Sequence, residues 1–194
     1  MRAAASSVLA IAMAIALVGP LGACGRTDGE PAGAPTKAGK GGTATDFMAR
    51  DIEGKTVRLS DYLRKQVIVL DFCATWCQPC LAELAHLRRI YAKEKARGFV
   101  VLAIAMDSSD SVADVPAWAR RNNLQFPVLL DEDSHIASIY NPKKSAPLTV
   151  LINKKSEIVF VHDGYNPGDE IGLEENIARA LEAPVILDAG AQPN

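Results

Sequence analysis

Three cysteines lie close together in the segment Cys-Ala-Thr-Trp-Cys-Gln-Pro-Cys at positions 73–80. Cys77 and Cys80 could bind a metal ion, form a structural crosslink or carry out disulfide exchange. A tetrahedral metal site needs four ligands, but the other cysteines are Cys24 and Cys73, and the three histidines are scattered along the chain. A disulfide across two residues would close too small a loop to stabilise the fold much. The motif therefore favours a catalytic dithiol and indicates no metal.

The residues after the motif predict that the dithiol lies at the start of a helix. Apolar residues at helical spacing continue to Gly98, and Pro79 is tolerated in a first turn because no N–H is needed there. Unpaired N–H groups and the helix dipole stabilise a thiolate at that position. We therefore predict that Cys77 is the nucleophile and that Cys80 resolves the mixed disulfide. We expect Trp76 to shield one side of the site and to leave Cys77 exposed.

The rest of the sequence supplies strands on which this helix can pack. Apolar runs and alternating segments predict strands at residues 47–52, 56–59, 67–72, 99–106, 127–130, 148–152 and 158–162. Helical patterns occur at residues 77–98, 110–122, 135–140 and 169–182, and Pro116 is expected to interrupt the second of these. The order of these elements predicts an α/β fold with a central mixed sheet and helices on both faces.

Composition and the N-terminus limit the class of protein. The 194 residues are 48% hydrophobic with a formal charge of -2, so the chain can bury a core and does not resemble a nucleic-acid binder. Residues 1–23 have the pattern of a signal peptide, and Leu-Gly-Ala before Cys24 resembles a bacterial lipobox, which predicts lipid on Cys24. The alternative is an ordinary secretory signal cleaved near Ala23. Residues 24–42, rich in Gly, Pro and Ala, predict a flexible tether.

A family resemblance rests on three features of the sequence. These are the motif at residues 76–80, the Asp71-Phe72 that precedes it, and Ala146-Pro147-Leu148-Thr149 before a predicted strand. With the early hairpin, they make the chain similar to the TlpA/ResA branch of thioredoxin-like proteins. The resemblance implies a thioredoxin fold at residues 43–183 with an N-terminal β-hairpin and a central insertion around residues 107–133. Residues 184–194 would form a C-terminal tail.

The resemblance also assigns roles to residues near the dithiol. It implies that Asp71 is buried and exchanges protons with Cys80, and burial should raise the pKa of Asp71. Glu83 is a second acid–base candidate, with a solvated helix residue as the alternative. Pro147 matches a cis-proline that faces the dithiol. The substrate-binding residues implied are Trp76, Gln78, Pro79, Ala146 and Pro147.

Three further positions lie close to the dithiol in the sequence. Cys73 stands where a tryptophan is usual, and we expect a buried, inert thiol, with a third redox partner as the secondary interpretation. Ala85 replaces a proline that commonly kinks the first helix, which predicts a straighter helix. His86 lies about 13 Å along the helix from Cys77, and we expect a surface histidine.

The predicted function is a thiol-disulfide oxidoreductase of the cell envelope, lipid-anchored to a bacterial membrane with its domain on the extracytoplasmic side. It would reduce disulfides of exported proteins, with apocytochrome c as one candidate, and a membrane electron donor would reduce it again; no cofactor is implied. The alternatives are a peroxiredoxin-like peroxidase, although Thr75 precedes Cys77 by two residues and not three, and a copper-delivery protein, although such carriers use Cys-x-x-x-Cys.

Overall fold

Seven strands form one mixed sheet in residues 41–183, the part of the chain that this computed structural model describes. The strands are β1 (Met48–Asp51), β2 (Thr56–Arg58), β3 (Val67–Cys73), β4 (Phe99–Ala105), β5 (Val128–Leu130), β6 (Leu148–Ile152) and β7 (Ile158–Asp163). Their order is β2-β1-β5-β4-β3-β6-β7. The β3–β4 and β4–β5 pairs are parallel, whereas the other neighbours are antiparallel. The predicted mixed sheet is therefore confirmed.

Helices cover both faces of this sheet. They are α1 (Gln78–Glu94), α2 (Val115–Arg121), α3 (His135–Tyr140) and α4 (Asp169–Glu182). Leu84 of α1, Trp118 of α2 and Ile177 of α4 pack in one core with alternate residues of β3 and β4. Ile136 of α3 packs in a second core on the opposite face. Every residue of β3 and β4 is buried between these layers, as their continuous apolar runs predict.

Local sequence explains where α1 begins and ends. The side chain of Cys77 caps the first turn, and Pro79 lies within that turn. At the other end, a short 3₁₀ turn over Lys95–Arg97 leads to Gly98, whose φ of +85° favours glycine. The helix therefore tightens in its last turn where the sequence predicts a continuous α-helix. It runs without interruption past Ala85.

The expected interruption at Pro116 takes another form. A 3₁₀ turn covers Val112–Asp114, and α2 begins at Val115 with Pro116 in its first turn. Proline fits there because the first N–H groups of a helix have no intrahelical partner. Pro116 therefore starts the α-helix where the sequence predicts a break within it.

The first described residues pair with the turn between β6 and β7. The N–H of Ala44 donates to the carbonyl of Ser156 at 2.7 Å, and the N–H of Ile158 donates to the carbonyl of Gly42 at 3.2 Å. Thr43 also forms a bridge with Glu157. The chain thus enters the described domain beside this turn.

The predicted signal peptide at 1–23, Cys24, most of the tether at 24–42 and the tail at 184–194 lie outside the described residues. Within residues 41–183, no helix is both long enough and apolar enough to span a membrane. The boundaries proposed for these segments remain predictions.

Candidate active site

The two cysteines of the motif form a disulfide at the N-terminus of α1. Cys77 and Cys80 are bonded through their sulfur atoms, with their Cα atoms 5.4 Å apart. Cys77 is the N-cap residue of the helix, and the backbone N–H of Cys80 donates to Cys77 Sγ at 3.2 Å. After reduction, the same N–H and the helix dipole would stabilise a thiolate at Cys77. The geometry therefore suits Cys77 as the nucleophile.

The exposure of the motif differs in part from expectation. Cys77 is only 4% exposed and Cys80 is fully buried, whereas Trp76 is 64% exposed. Trp76 therefore projects into solvent, and Cys77 is buried in the disulfide form, although the sequence predicts an exposed Cys77. Gln78 and Pro79 are exposed beside it. The exposed surface next to the disulfide thus includes Trp76, Gln78 and Pro79.

Asp107 holds the turn that carries the dithiol. It follows β4, has no exposed surface, and accepts two hydrogen bonds from Thr75. The Thr75 N–H donates to Oδ2 at 3.0 Å and the hydroxyl donates to Oδ1 at 2.5 Å. Sequence reasoning missed this residue. The available signal was an aspartate after a parallel strand next to β3, because the carboxyl ends of parallel strands meet at one edge of a sheet.

Asp71 lies on β3 and has no exposed surface. Neither of its carboxylate oxygens has a hydrogen-bond partner among residues 41–183. Burial, and secondarily the charge of Glu83, raises the pKa of Asp71 well above its ordinary value. The expected burial is therefore observed, and a surface position is excluded.

Glu83 lies on α1 and is also buried, at 3% exposed. Thr149 of β6 donates its hydroxyl proton to Glu83 Oε1, while Oε2 has no hydrogen-bond partner among the described residues. Burial raises the pKa of Glu83 to about 7, although the Thr149 hydrogen bond and the charge of His162 oppose this rise. The alternative of a solvated helix residue is excluded.

A polar row crosses three neighbouring strands behind the disulfide. Asp71 of β3 pairs with Thr149 of β6, and Thr149 pairs with His162 of β7. The three residues share a face of the sheet with the core beneath α1 and α4, because each lies two residues along its strand from a member of that core, namely Cys73, Leu151 and Phe160. Sequence reasoning missed Thr149 and His162 in this row.

Ala146 and Pro147 precede β6 and are joined by a cis peptide bond. Since Leu148 pairs with Phe72, they lie at the end of β3 that leads to the dithiol. Pro147 is buried and Ala146 is half-buried. The structure therefore agrees with the cis-proline that the family resemblance implies.

Two other side chains were interpreted from the sequence. Cys73 is a free thiol with no exposed surface, and burial raises its pKa well above the ordinary value, which fits an inert thiol. His86 is half-buried: its ring centroid lies 5.9 Å from that of Tyr165, and Nδ1 lies 4.0 Å from Glu170 Oε1. The expectation of a plain surface histidine is corrected because α4 and its preceding loop pack over His86.

Known proteins resemble this chain in sequence and in fold. Residues 41–161 match the model of the AhpC/TSA family. The thiol-disulfide oxidoreductase ResA of Geobacillus kaustophilus is 33% identical over 148 residues, which cover 76% of this chain and 79% of the relative. ResA of Halalkalibacterium halodurans is 31% identical over 64% of this chain and 68% of the relative.

A solved structure extends the match to three dimensions. A Chlorobium tepidum protein assigned as the thiol:disulfide interchange protein DsbE aligns with a TM-score of 0.68 at 32% identity. The alignment covers 74% of this chain and 99% of that one. The thioredoxin-like fold expected from the sequence is thus confirmed. The chain belongs to the AhpC/TSA family and, within it, to the thiol-disulfide oxidoreductases that resemble ResA and DsbE.

Proposed function

We propose that Cys77 and Cys80 reduce protein disulfides in two steps. The Cys77 thiolate attacks a substrate disulfide, forms a mixed disulfide and releases the first substrate sulfur as a thiol. Cys80 then loses its proton and attacks Cys77 Sγ, which forms the Cys77–Cys80 disulfide and releases the second substrate thiol. Two electrons pass from the dithiol to the substrate. The observation that carries this proposal is the disulfide at the N-terminus of α1, with the Cys80 N–H directed to Cys77 Sγ.

The buried carboxyl groups would handle the proton of Cys80. Asp71 and Glu83 both have raised pKa values because they are buried, so a carboxylate there is a stronger base than an exposed one. Two such groups in one apolar region influence each other, and their protons leave in steps that belong to the pair. We assign the acid–base role primarily to Asp71, with Glu83 as its partner.

The substrate would bind at the surface around Trp76. Trp76, Gln78 and Pro79 are exposed on one side of the disulfide, and Ala146 and Pro147 approach the same end of β3. An exposed tryptophan offers a large apolar contact. This surface suits an extended peptide that carries a disulfide.

The location and substrate belong to the same proposal. The sequence around Cys24 supports a lipid anchor in a bacterial membrane, with the domain on the extracytoplasmic side. Gln-Pro between the cysteines carries no charge that would stabilise a thiolate, which favours a reductant over an oxidant. The substrates would be exported proteins with disulfides, including apocytochrome c, and a membrane electron donor would restore the dithiol.

The test uses variants of the two cysteines. Cys77→Ser should abolish reduction of insulin disulfides, whereas Cys80→Ser should trap mixed disulfides with substrates, visible by non-reducing electrophoresis and mass spectrometry. A Cys80 thiol that alkylates faster than Cys77 at neutral pH would reverse the assignment. Peroxide consumption or tight Cu(I) binding by the dithiol, without disulfide reduction, would favour the peroxidase or copper-delivery alternative instead.

A further inference from the structure

His162 takes no part in the chemistry proposed above, although it lies in the polar row behind the disulfide. Its side chain is 9% exposed, and its Nε2 lies 3.0 Å from Asp169 Oδ2 of α4. This contact has the geometry of an ion pair when the imidazole carries a proton. Phe160 stacks beside the imidazole with ring centroids 6.0 Å apart. His162 is therefore held in position by one carboxylate and one aromatic ring.

A small cavity connects His162 with Glu83. Both residues line it, together with Thr149, and it leaves about 10 Å³ for the centre of a water molecule, enough for one water. Phe160 and Leu173 supply apolar walls. Glu83 Oε2 has no hydrogen-bond partner among the described residues. In such an enclosed space, a charge on His162 acts on Glu83 with little screening.

The other charged groups around Glu83 come from four neighbouring parts of the fold. They are Asp71 on β3, His86 on α1, Tyr165 in the loop after β7, and Asp169 and Glu170 on α4. The Tyr165 hydroxyl donates to Glu170 Oε2 at 3.0 Å, and His86 Nδ1 lies 4.0 Å from Glu170 Oε1 and hydrogen-bonds with Arg89 of α1. Asp169 opposes ionisation of Glu83, whereas His162 favours it. His162 in its protonated form is thus the neighbour that favours ionisation of Glu83.

We propose that His162, held by Asp169, is a positioning residue whose charge sets the proton affinity of Glu83. Through Glu83 it sets the pH range in which Cys80 can lose its proton; this second part rests on the proposed function. The first part concerns only the folded protein and requires no reaction. Among the described residues, His162 forms its ion-pair contact with Asp169 and not with either cysteine, so its effect would pass through the carboxyl group of Glu83.

The direct test is titration of the Glu83 carboxyl carbon by NMR in the oxidised protein. His162→Gln removes the side chain that can carry a positive charge and should raise the titration midpoint of Glu83 by about one pH unit. His162→Asn is a smaller neutral substitution that serves the same purpose if the glutamine variant does not fold. His162→Lys retains a cation and should return the midpoint toward the wild-type value.

His86→Gln is the matched control, because His86 lines the same cavity but faces Glu170. It should leave the Glu83 midpoint unchanged. An unchanged midpoint in His162→Gln, or an equal shift in His86→Gln, would overturn the proposal. Since the oxidised protein is used, these outcomes do not depend on whether the dithiol reduces proteins.

A second measurement tests the link to the reaction. The rate at which Cys80 resolves a preformed mixed disulfide should depend on pH, with a midpoint that moves upward in His162→Gln and recovers in His162→Lys. A purely structural role for His162 would lower the rate at every pH without moving the midpoint. That result would contradict the second part of the proposal, even if the proposed disulfide reduction itself were confirmed.

Discussion

At the scale of single residues, we expect the proposed disulfide exchange to depend on two buried carboxyl groups. Asp71 has no hydrogen-bond partner for either oxygen among residues 41–183, whereas Glu83 accepts one hydrogen bond from Thr149. An ionised Asp71 would thus be the less stabilised of the two. Because it lacks hydrogen-bond partners in the described residues, an ionised Asp71 would be the stronger base of the two. It would also lower the free energy of unfolding more than Glu83 does.

Asp71→Asn should stabilise the oxidised protein in a pH-dependent way. Burial raises the pKa of Asp71, so its contribution to stability is fully present below its ordinary pKa of about 4 and is lost as pH rises toward the folded value. Asparagine does not ionise, so the variant keeps the stability that the wild-type protein loses as pH rises. We expect the free energy of unfolding, measured with urea, to rise by roughly 1–3 kcal/mol near neutral pH and to stay unchanged at about pH 3.

The same variant should slow the reaction. Without a carboxylate to accept its proton, Cys80 should resolve the mixed disulfide roughly ten- to a hundredfold more slowly near neutral pH, and less so at alkaline pH, where it ionises unaided. Stopped-flow rates between pH 6 and 9 measure this change. A wild-type pH–rate profile with unchanged stability would rule out a buried base at Asp71.

Glu83→Gln is the comparison for both measurements. The pKa of Glu83 rises from 4.5 to about 7, so the gain in stability should develop between these pH values and remain constant above them. This difference in the pKa of Glu83 corresponds to a gain of roughly 3 kcal/mol in the free energy of unfolding. Glutamine can still accept the Thr149 hydrogen bond. A larger kinetic loss in Glu83→Gln than in Asp71→Asn would move the acid–base role to α1.

At the scale of elements, the turn between β3 and α1 is fixed to the end of β4. Asp107 accepts both the N–H and the hydroxyl proton of Thr75, and the N–H of Met106 donates to the carbonyl of Cys73 at 2.8 Å. These contacts join the segment before the dithiol to the neighbouring parallel strand. The orientation of the first N–H groups of α1 therefore depends on a residue outside the motif.

Asp107→Ala should loosen this turn. It leaves two donors of Thr75 without their acceptor, so we expect a loss of roughly 2–3 kcal/mol in the free energy of unfolding. Cys77 should also react more slowly with iodoacetamide at neutral pH, because its thiolate depends on the ordered helix terminus.

The matched control is Asp107→Asn, which keeps one acceptor oxygen. It should lose less free energy of unfolding than Asp107→Ala and should slow the alkylation of Cys77 less. Equal behaviour of wild type and Asp107→Ala would show that the turn is held by other contacts.

At the scale of the whole molecule, attachment and activity should be separable. We expect Cys24→Ala to move the protein from the membrane to the soluble fraction without changing disulfide reduction by the isolated protein. The reason is that the predicted tether at residues 24–42 separates the lipid from the domain. Fractionation and mass spectrometry of the N-terminus measure the two effects. Wild-type protein found soluble and unacylated would contradict the lipid anchor.

The sequence predicts the helices and strands of this fold better than it predicts how the strands pair with one another. The apolar runs of β3 and β4 are readable because both faces are buried, and an aspartate within such a run indicates burial of Asp71. His162 was not assigned to the site, because its place beside Thr149 depends on pairing between strands. Asp107 was missed for the same reason, since it meets Thr75 only after parallel strands align.

The chain enters the described domain at the end of the sheet that lies away from the disulfide. Gly42 and Ala44 pair with the turn between β6 and β7, and that turn lies at the end of the sheet opposite the disulfide, because β6 runs antiparallel to β3. The length of β3 between these ends is roughly 20 Å. If the protein is attached through its N-terminus, as proposed, the dithiol would lie at the end of the domain farthest from the attachment point. The predicted flexible tether at residues 24–42 would let the domain reorient, so that both soluble partners and a donor in the membrane would reach the dithiol.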